Sequence, residues 1–233
     1  MIDSNIKGII FDYGGTLDTR GDHWSHIIYK GWQAAGLELP TDVFRDCYVF
    51  AERELAKVRH ILPCDDFHTL LYKKMVLELQ ELCRKGYIAE EQIEKAATVS
   101  AKYCNDYAAE CIEEARPVLQ ALSARYPLVL VSNFYGNIDS VLRGFGIREY
   151  FGGIIESAVV GVRKPDARIF SLGVVALGLE PQQVLVVGDS LRKDILPARS
   201  LGCATAWIKG RGWTADEDAA TDSALIPSLA ALL

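Results

Sequence analysis

Four apolar runs organise the second half of this chain: PLVLVSN (127–133), GGIIESAV (152–159), QQVLVVGD (182–189) and CATAWI (203–208). They are continuous rather than alternating, as in strands covered on both faces. Between them lie stretches that read as helices, near 113–125, 137–144, 166–178 and 191–201. Strand and helix in strict alternation imply a parallel, doubly wound α/β sheet. One more short strand, IKGIIF (6–11), precedes all of this and ends abruptly in Asp12-Tyr13-Gly14-Gly15, a turn signal.

The segment between that first strand and the alternating region has a different texture. HWSHIIYKGWQAAG, TDVFRDCYVFAERELAKV, DDFHTLLYKKMVLELQELCRKG and AEEQIEKAATVSAKYCNDYAAE carry apolar residues at helical spacing, as in Phe67, Leu70, Leu71, Val76 and Leu79. Thr41 and Asp66 are candidate N-caps, and Gly36 and Gly86 candidate C-terminal stops. The expected organisation is an α/β core of residues 1–18 and 113–233, with a helical cap, residues 19–112, inserted after the first strand.

Bulk properties narrow the partners. A formal charge of -6 argues against general nucleic-acid binding, which needs a basic face, and leaves room for a local basic pocket for one small anion. The 6 cysteines include no C-x-x-C pair, so neither a zinc nor a redox motif is visible, and free buried thiols in a reducing compartment are expected. No signal peptide and no apolar run of membrane-spanning length appears, so a cytoplasmic location without membrane attachment is expected.

In open parallel sheets, ligands bind beyond the carboxyl ends of the strands. Polar residues follow four apolar stretches here: Asp12 after IIF, Ser132-Asn133 after LVLV, Lys164 after ESAVVGVR, and Asp189 after VLVVG. Singly, each is an ordinary turn residue or helix cap. Asp12, first out of the opening strand, is a candidate carboxylate nucleophile, which would split a phosphoryl transfer into two easier steps through an aspartyl phosphate. Asp12 and Asp189 would converge at neighbouring strand ends. Two such charges about 4 Å apart repel by roughly 4 kcal/mol at an effective dielectric of 20. A hard divalent cation with oxygen ligands, such as Mg2+, relieves that repulsion.

Taken in order, FDYGGTLDT, the Ser132 of VSN, the Lys164 of GVRKPD, and GDSLRKD with Asp189 and Asp194 resemble the four motifs of the haloacid dehalogenase superfamily of hydrolases. The resemblance spans residue 6 to about 208, with the helical block where members of the helical-cap (C1) type carry their cap. It implies a Rossmann-like core and a magnesium-dependent hydrolase acting on a small phosphorylated molecule. Asp12 would be the nucleophile. The metal would be held by Asp12, the backbone carbonyl of Gly14 and Asp189, with Asp194 behind them or as a weaker ligand. Thr16, Ser132 and Lys164 would hold the phosphoryl oxygens. Asn133 is either a further substrate contact or a turn residue, and Asp18 orders the turn.

One position departs from the pattern. Phosphatases of the family carry a second aspartate where this chain has Gly14, and use it as general acid and then general base, a contribution of about a hundred- to ten-thousand-fold. Several readings follow. The leaving group needs no proton, as with a carboxylate or a phosphoanhydride; or His23 or His26 supplies a relocated acid; or the enzyme is phosphonatase-like, with a cap lysine such as Lys30 or Lys57 forming a Schiff base; or the chain is a catalytically weak binding module. A true dehalogenase fits less well, because those enzymes do not use magnesium and GDSLRKD looks like an intact metal-binding motif. Trp24, Tyr29 and Trp32 would either line the entrance or fill the cap core.

Overall fold

The computed structural model describes residues 2–233. Its centre is a six-stranded, all-parallel sheet of β1 (Gly8–Phe11), β2 (Leu128–Ser132), β3 (Gly153–Glu156), β4 (Val184–Gly188), β5 (Ala204–Ile208) and β6 (Leu225–Ile226). The spatial order is β3-β2-β1-β4-β5-β6. β1 is therefore flanked by β2 on one side and β4 on the other, with Ile10 opposite both Val129 and Val186. The chain winds outward first in one direction and then in the other. The crevice this creates lies at the carboxyl ends of β1, β2 and β4.

The buried runs explain the layering. Along β1, Ile9 and Phe11 face one core, which continues into the helical block, and Ile10 faces a second core with Val129, Val131, Phe170, Val174 and Val186. Neither face is left to water, which is why these strands read as unbroken apolar runs.

Between β1 and β2 stand four helices: α1 (Trp24–Ala34), α2 (Thr41–Lys57), α3 (Phe67–Arg84) and α4 (Ile93–Ser123). This all-helical insertion is consistent with a cap. Asp66 caps α3 by accepting from Thr69 N, as expected, and Gly36 and Gly86 take positive φ just past α1 and α3. Thr41 does not cap: it is the first helical residue of α2, and Pro40 stands before it without a side-chain bond. A proline there presets the entry and makes a side-chain cap dispensable.

The separate helices expected on either side of residue 112 are one helix. α4 runs 31 residues without a break, so the expected boundary at 112–113 falls inside it. Its N-terminal half packs on α1 and α3, and Val118, Leu119 and Leu122 near its C-terminus join the same core. Pro117 lies inside α4 without ending it, since a proline removes one backbone bond while the flanking apolar stripe keeps the helix packed.

The second core covers the other face. α5 (Ile138–Gly144) follows β2 but packs into the first core, and β3 gives way at once to the single turn α6 (Ser157–Val160), so the strand expected over 152–159 ends at Glu156. α7 (Arg168–Leu177) leads to β4, α8 (Leu196–Ser200) to β5, and α9 (Ala215–Ala219) precedes β6. All six cysteines are free; four are buried, Cys83 is half-buried, and Cys64 is exposed, contrary to the expectation of burial for all. No helix among the described residues is long and apolar enough to cross a membrane.

Gly31 shows how tightly α1 meets α4. A Cβ there would lie 2.9 Å from Cys104 Sγ and 3.0 Å from the Ser100 carbonyl, and Ser100 Oγ donates to the Gly31 carbonyl at 3.0 Å. Helix propensity alone favours Gly31→Ala by about 1 kcal/mol. Overpacking against a neighbouring backbone costs about 1–3 kcal/mol. We predict that Gly31→Ala lowers the urea midpoint; a raised midpoint would mean that the two helices can separate freely.

Candidate active site

The acids sit where the strands end. Asp12 leaves central β1 and Asp189 leaves adjacent β4; Asp194 follows on a single wide turn, Leu191–Ile195, with π-type hydrogen bonding. Each offers one carboxylate oxygen within 4.8 Å of the others. Two glycines make this possible. A Cβ on Gly15, which has φ +96°, would stand 2.3 Å from Asp189 Oδ2, and one on Gly188 would stand 2.4 Å from Asp194 Cβ. Any side chain at either position would push an acid out of the cluster.

Lys164 is the counter-charge. Its ammonium donates to Asp12 Oδ1 at 2.6 Å and lies 2.7 Å from Asp194 Oδ1. Burial opposes its charge, but Asp12 and Asp194 outweigh burial and hold the lysine above its ordinary pKa. For Asp189, burial and then the charges of Asp194 and Asp12 push the carboxyl well up. For Asp194, burial raises it, Lys164 works in the opposite direction, and Asp12 adds to the rise. The cluster thus carries more negative charge than one lysine neutralises. Three hard oxygen donors at this spacing, with uncompensated charge, fit a divalent cation such as magnesium.

The other expected site residues fall into two groups. Ser132, at the end of β2, lines the cavity beside Asp12 and Lys164. Thr16 and Asn133 have their polar groups turned inward. Thr16 Oγ1 donates to Asp12 Oδ2 at 3.1 Å, which fixes the carboxylate's rotation. Asn133 binds the backbone of Lys164 at both ends: Lys164 N donates to Asn133 Oδ1 at 2.9 Å, and Asn133 Nδ2 donates to the Lys164 carbonyl at 3.1 Å. Asp18 is fully buried and accepts from Gly15 N at 2.7 Å and Trp24 Nε1 at 3.1 Å. It orders the turn. Burial, only partly offset by those bonds, brings its pKa to about 8.

Gly14 is not among the positive-φ glycines, and the nearest atoms to a Cβ there are in the Trp24 ring at 3.9 Å. The backbone and the space around it therefore accept a side chain.

Above the cluster lies a cavity of about 720 Å3 between the sheet ends and the helical block. Trp24 lines it, whereas Trp32 is fully buried and donates to Glu78, and Tyr29 packs on Phe44 inside the helices. Three features of its wall leave no mark in the sequence. Lys74 on α3 is buried and paired with Glu52 on α2, over the Tyr48 ring. Tyr135, past β2, donates to the same Glu52 at 3.0 Å, tying core to helices. Trp213, in the segment after β5, stacks near His23 and Tyr48 and under Arg45. No sequence pattern marks these residues; they come together only once the helices are packed.

Comparison with known proteins bears on this arrangement. A family model described as haloacid dehalogenase-like hydrolase matches residues 6–202. A haloacid dehalogenase-like hydrolase domain-containing protein 3 of Bos taurus is 32% identical over 127 residues, 53% of this chain and 51% of that protein. A phosphoserine phosphatase of Thermus thermophilus is 36% identical over 67 residues, 29% of this chain and 27% of that one. The chain thus matches about half the length, or less, of these curated relatives. Among solved structures, a predicted phosphoglycolate phosphatase from Haemophilus somnus superposes with a TM-score of 0.57 at 20% identity, over 98% of this chain and 97% of that one, a likeness of fold. With the family model covering most of its length and the acid cluster at the strand ends where the motifs lie, the chain belongs to the haloacid dehalogenase-like hydrolases.

Proposed function

We propose that this protein is a magnesium-dependent hydrolase of a small phosphorylated molecule, working through an aspartyl phosphate on Asp12 and restricted to leaving groups that need no proton. The observation that carries the restriction is that position 14 is a glycine and offers no carboxyl of its own. The phosphatase names among the similar proteins support the substrate class. Asp12, the Gly14 carbonyl and Asp189 would hold magnesium, with Asp194 behind them. The metal, when bound, would neutralise the phosphoryl oxygens and the acids around it.

The chain's own groups supply the rest. Lys164 on Oδ1 and Thr16 on Oδ2 hold the Asp12 carboxylate in one orientation, which lowers the entropy cost of attack. Lys164 also offers positive charge to the transferring phosphoryl group, and Ser132 a hydroxyl. Asn133 acts through Lys164, by fixing its backbone.

The other proton sources are poorly placed. His23 caps α1, with Nδ1 accepting from Ser25 N, and packs on Trp213. Burial, then the charges of Lys193 and Lys74, bring its pKa down to about 3. It is neutral at working pH and is a poor general acid. His26 Nε2 lies 2.8 Å from the Gly212 carbonyl, which occupies it. Asp18 is buried in the turn. A phosphonatase-like Schiff base needs a neutral cap amine, but neither Lys30 nor Lys57 lines the cavity, and Lys74, which does, is held charged: burial opposes that charge and Glu52 overrides it.

Two measurements test these assignments. Because His23 is depressed from about 6.5 when folded, the unfolded chain takes up a proton on acidification that the folded one refuses. Its contribution to stability is therefore lost as pH falls from about 6.5 toward 3. We predict that Tm falls more steeply between about pH 7 and pH 5 in wild type than in His23→Gln. Equal slopes would mean that His23 titrates normally and is available as an acid.

The second concerns Gly14. Wild type should turn over an acyl or aryl phosphate far better than a matched alkyl phosphate, because an alkoxide leaves poorly without a proton. Gly14→Asp adds the missing acid where the structure has room, and kcat/KM for the alkyl ester should rise by about tenfold or more, within the range of general acid–base catalysis. Wild type that already prefers the alkyl ester would refute the leaving-group reading.

A further inference from the structure

The cavity wall carries positive charge that the protein itself leaves unmatched. Lys164 is held by Asp12 and Asp194, Lys74 by Glu52, and Arg211 by Asp22; Lys209 donates to the carbonyls of Asp218 and Ala220. Three further cations lining the same cavity, Arg163, Arg192 and Lys193, have no side-chain hydrogen-bond or ion-pair partner among the described residues. The wall's carboxylates outside the metal-binding cluster do not balance them. Glu52 is engaged by Lys74 and Tyr135, which leaves only Asp216 and Glu217, both on the exposed rim, against three unpaired cations.

Position in the chain keeps these cations beside the reaction centre. Arg163 immediately precedes Lys164, and Lys193 immediately precedes Asp194. Both also act across the cavity on the helical block. Glu52 is disfavoured as a carboxylate by burial, yet Lys74 and, more weakly, Arg163 keep it charged; Lys193 adds to the burial that keeps His23 neutral. A cavity of about 720 Å3 takes a molecule well beyond a bare phosphoryl group. Unpaired cations around a cleft focus its field and favour anions.

We infer that the substrate carries a second anionic group besides its phosphoryl group, and that Arg163 and Lys193 bind it. The class is phosphorylated carboxylic acids and molecules with two phosphoryl groups, whose shared chemistry is an oxyanion that a guanidinium grips through paired N–H donors. This inference rests on the phosphoryl-hydrolase reading. Arg163 and Lys193 are specificity residues, set apart from the groups that attack phosphorus.

The test uses binding, so it does not depend on turnover. Three non-hydrolysable ligands of similar length are titrated calorimetrically into the full chain with saturating magnesium: propylphosphonate, phosphonopropionate and ethylenediphosphonate. Wild type should bind at least one of the two doubly anionic ligands about ten- to hundredfold more tightly than propylphosphonate, the range of a charge-assisted hydrogen bond. The preferred arm identifies the second group as carboxylate or phosphoryl. The Arg163→Met/Lys193→Met double variant, altered only at exposed side chains, should lose most of that preference while still binding propylphosphonate. Equal affinities in wild type, or a preference that survives in the double variant, overturns this inference and leaves the phosphoryl reading standing. Failure to bind any of the three overturns both.

Discussion

A buried lysine between two buried aspartates holds the candidate site together. Lys164 reaches Asp12 and Asp194 at 2.6 and 2.7 Å, with the Phe170 ring 5.3 Å away. Charges this deep are retained only when paired, and removing one member of such a set typically costs about 3–5 kcal/mol. The lysine therefore has two effects at once. It sets a positive charge directly on the Asp12 carboxylate, and it draws the strand-β1 and strand-β4 sides of the crevice together. Asn133 serves the same end, because both ends of its amide are fixed to the Lys164 backbone.

The sheet order makes that convergence possible. β1 lies between β2 and β4, so three adjacent strand ends deliver Asp12, Ser132 and Asp189 to one crevice. Close approach of the acids then depends on what is missing. Gly15 and Gly188 have no Cβ, and Asp189 and Asp194 occupy the space one would fill. The helical block closes the crevice through Tyr13, whose ring meets Phe67 on α3 and Phe134 past β2 edge-on at 6.0 and 5.6 Å, and through the Tyr135–Glu52–Lys74 chain.

How much of this could be read from the sequence follows from how local each cause is. Asp12, Ser132 and Asp189 were legible because a strand's end is marked by the end of its apolar run, and Lys164 and Asp194 because they follow in motif order. The inward roles of Thr16 and Asn133 were not, because they depend on how two loops meet in space. Nor were Lys74, Glu52 and Trp213, which lie on helices or loops whose facing is set by packing. From sequence, α4 reads as two helices for a related reason. The alternating pattern suggested a fresh helix before β2, whereas the Ala-rich, evenly amphipathic stretch simply continues through Pro117.

The proposed restriction to leaving groups that need no proton depends on Asp12 being a covalent nucleophile at all. That is measured most directly by acid-quenching the enzyme during turnover of an acyl phosphate and locating any phosphoryl adduct by mass spectrometry. The account predicts an adduct on Asp12 when magnesium is present, and none when it is withheld or in Asp12→Asn. Turnover without any adduct on Asp12, or with full activity retained in Asp12→Asn, would contradict it.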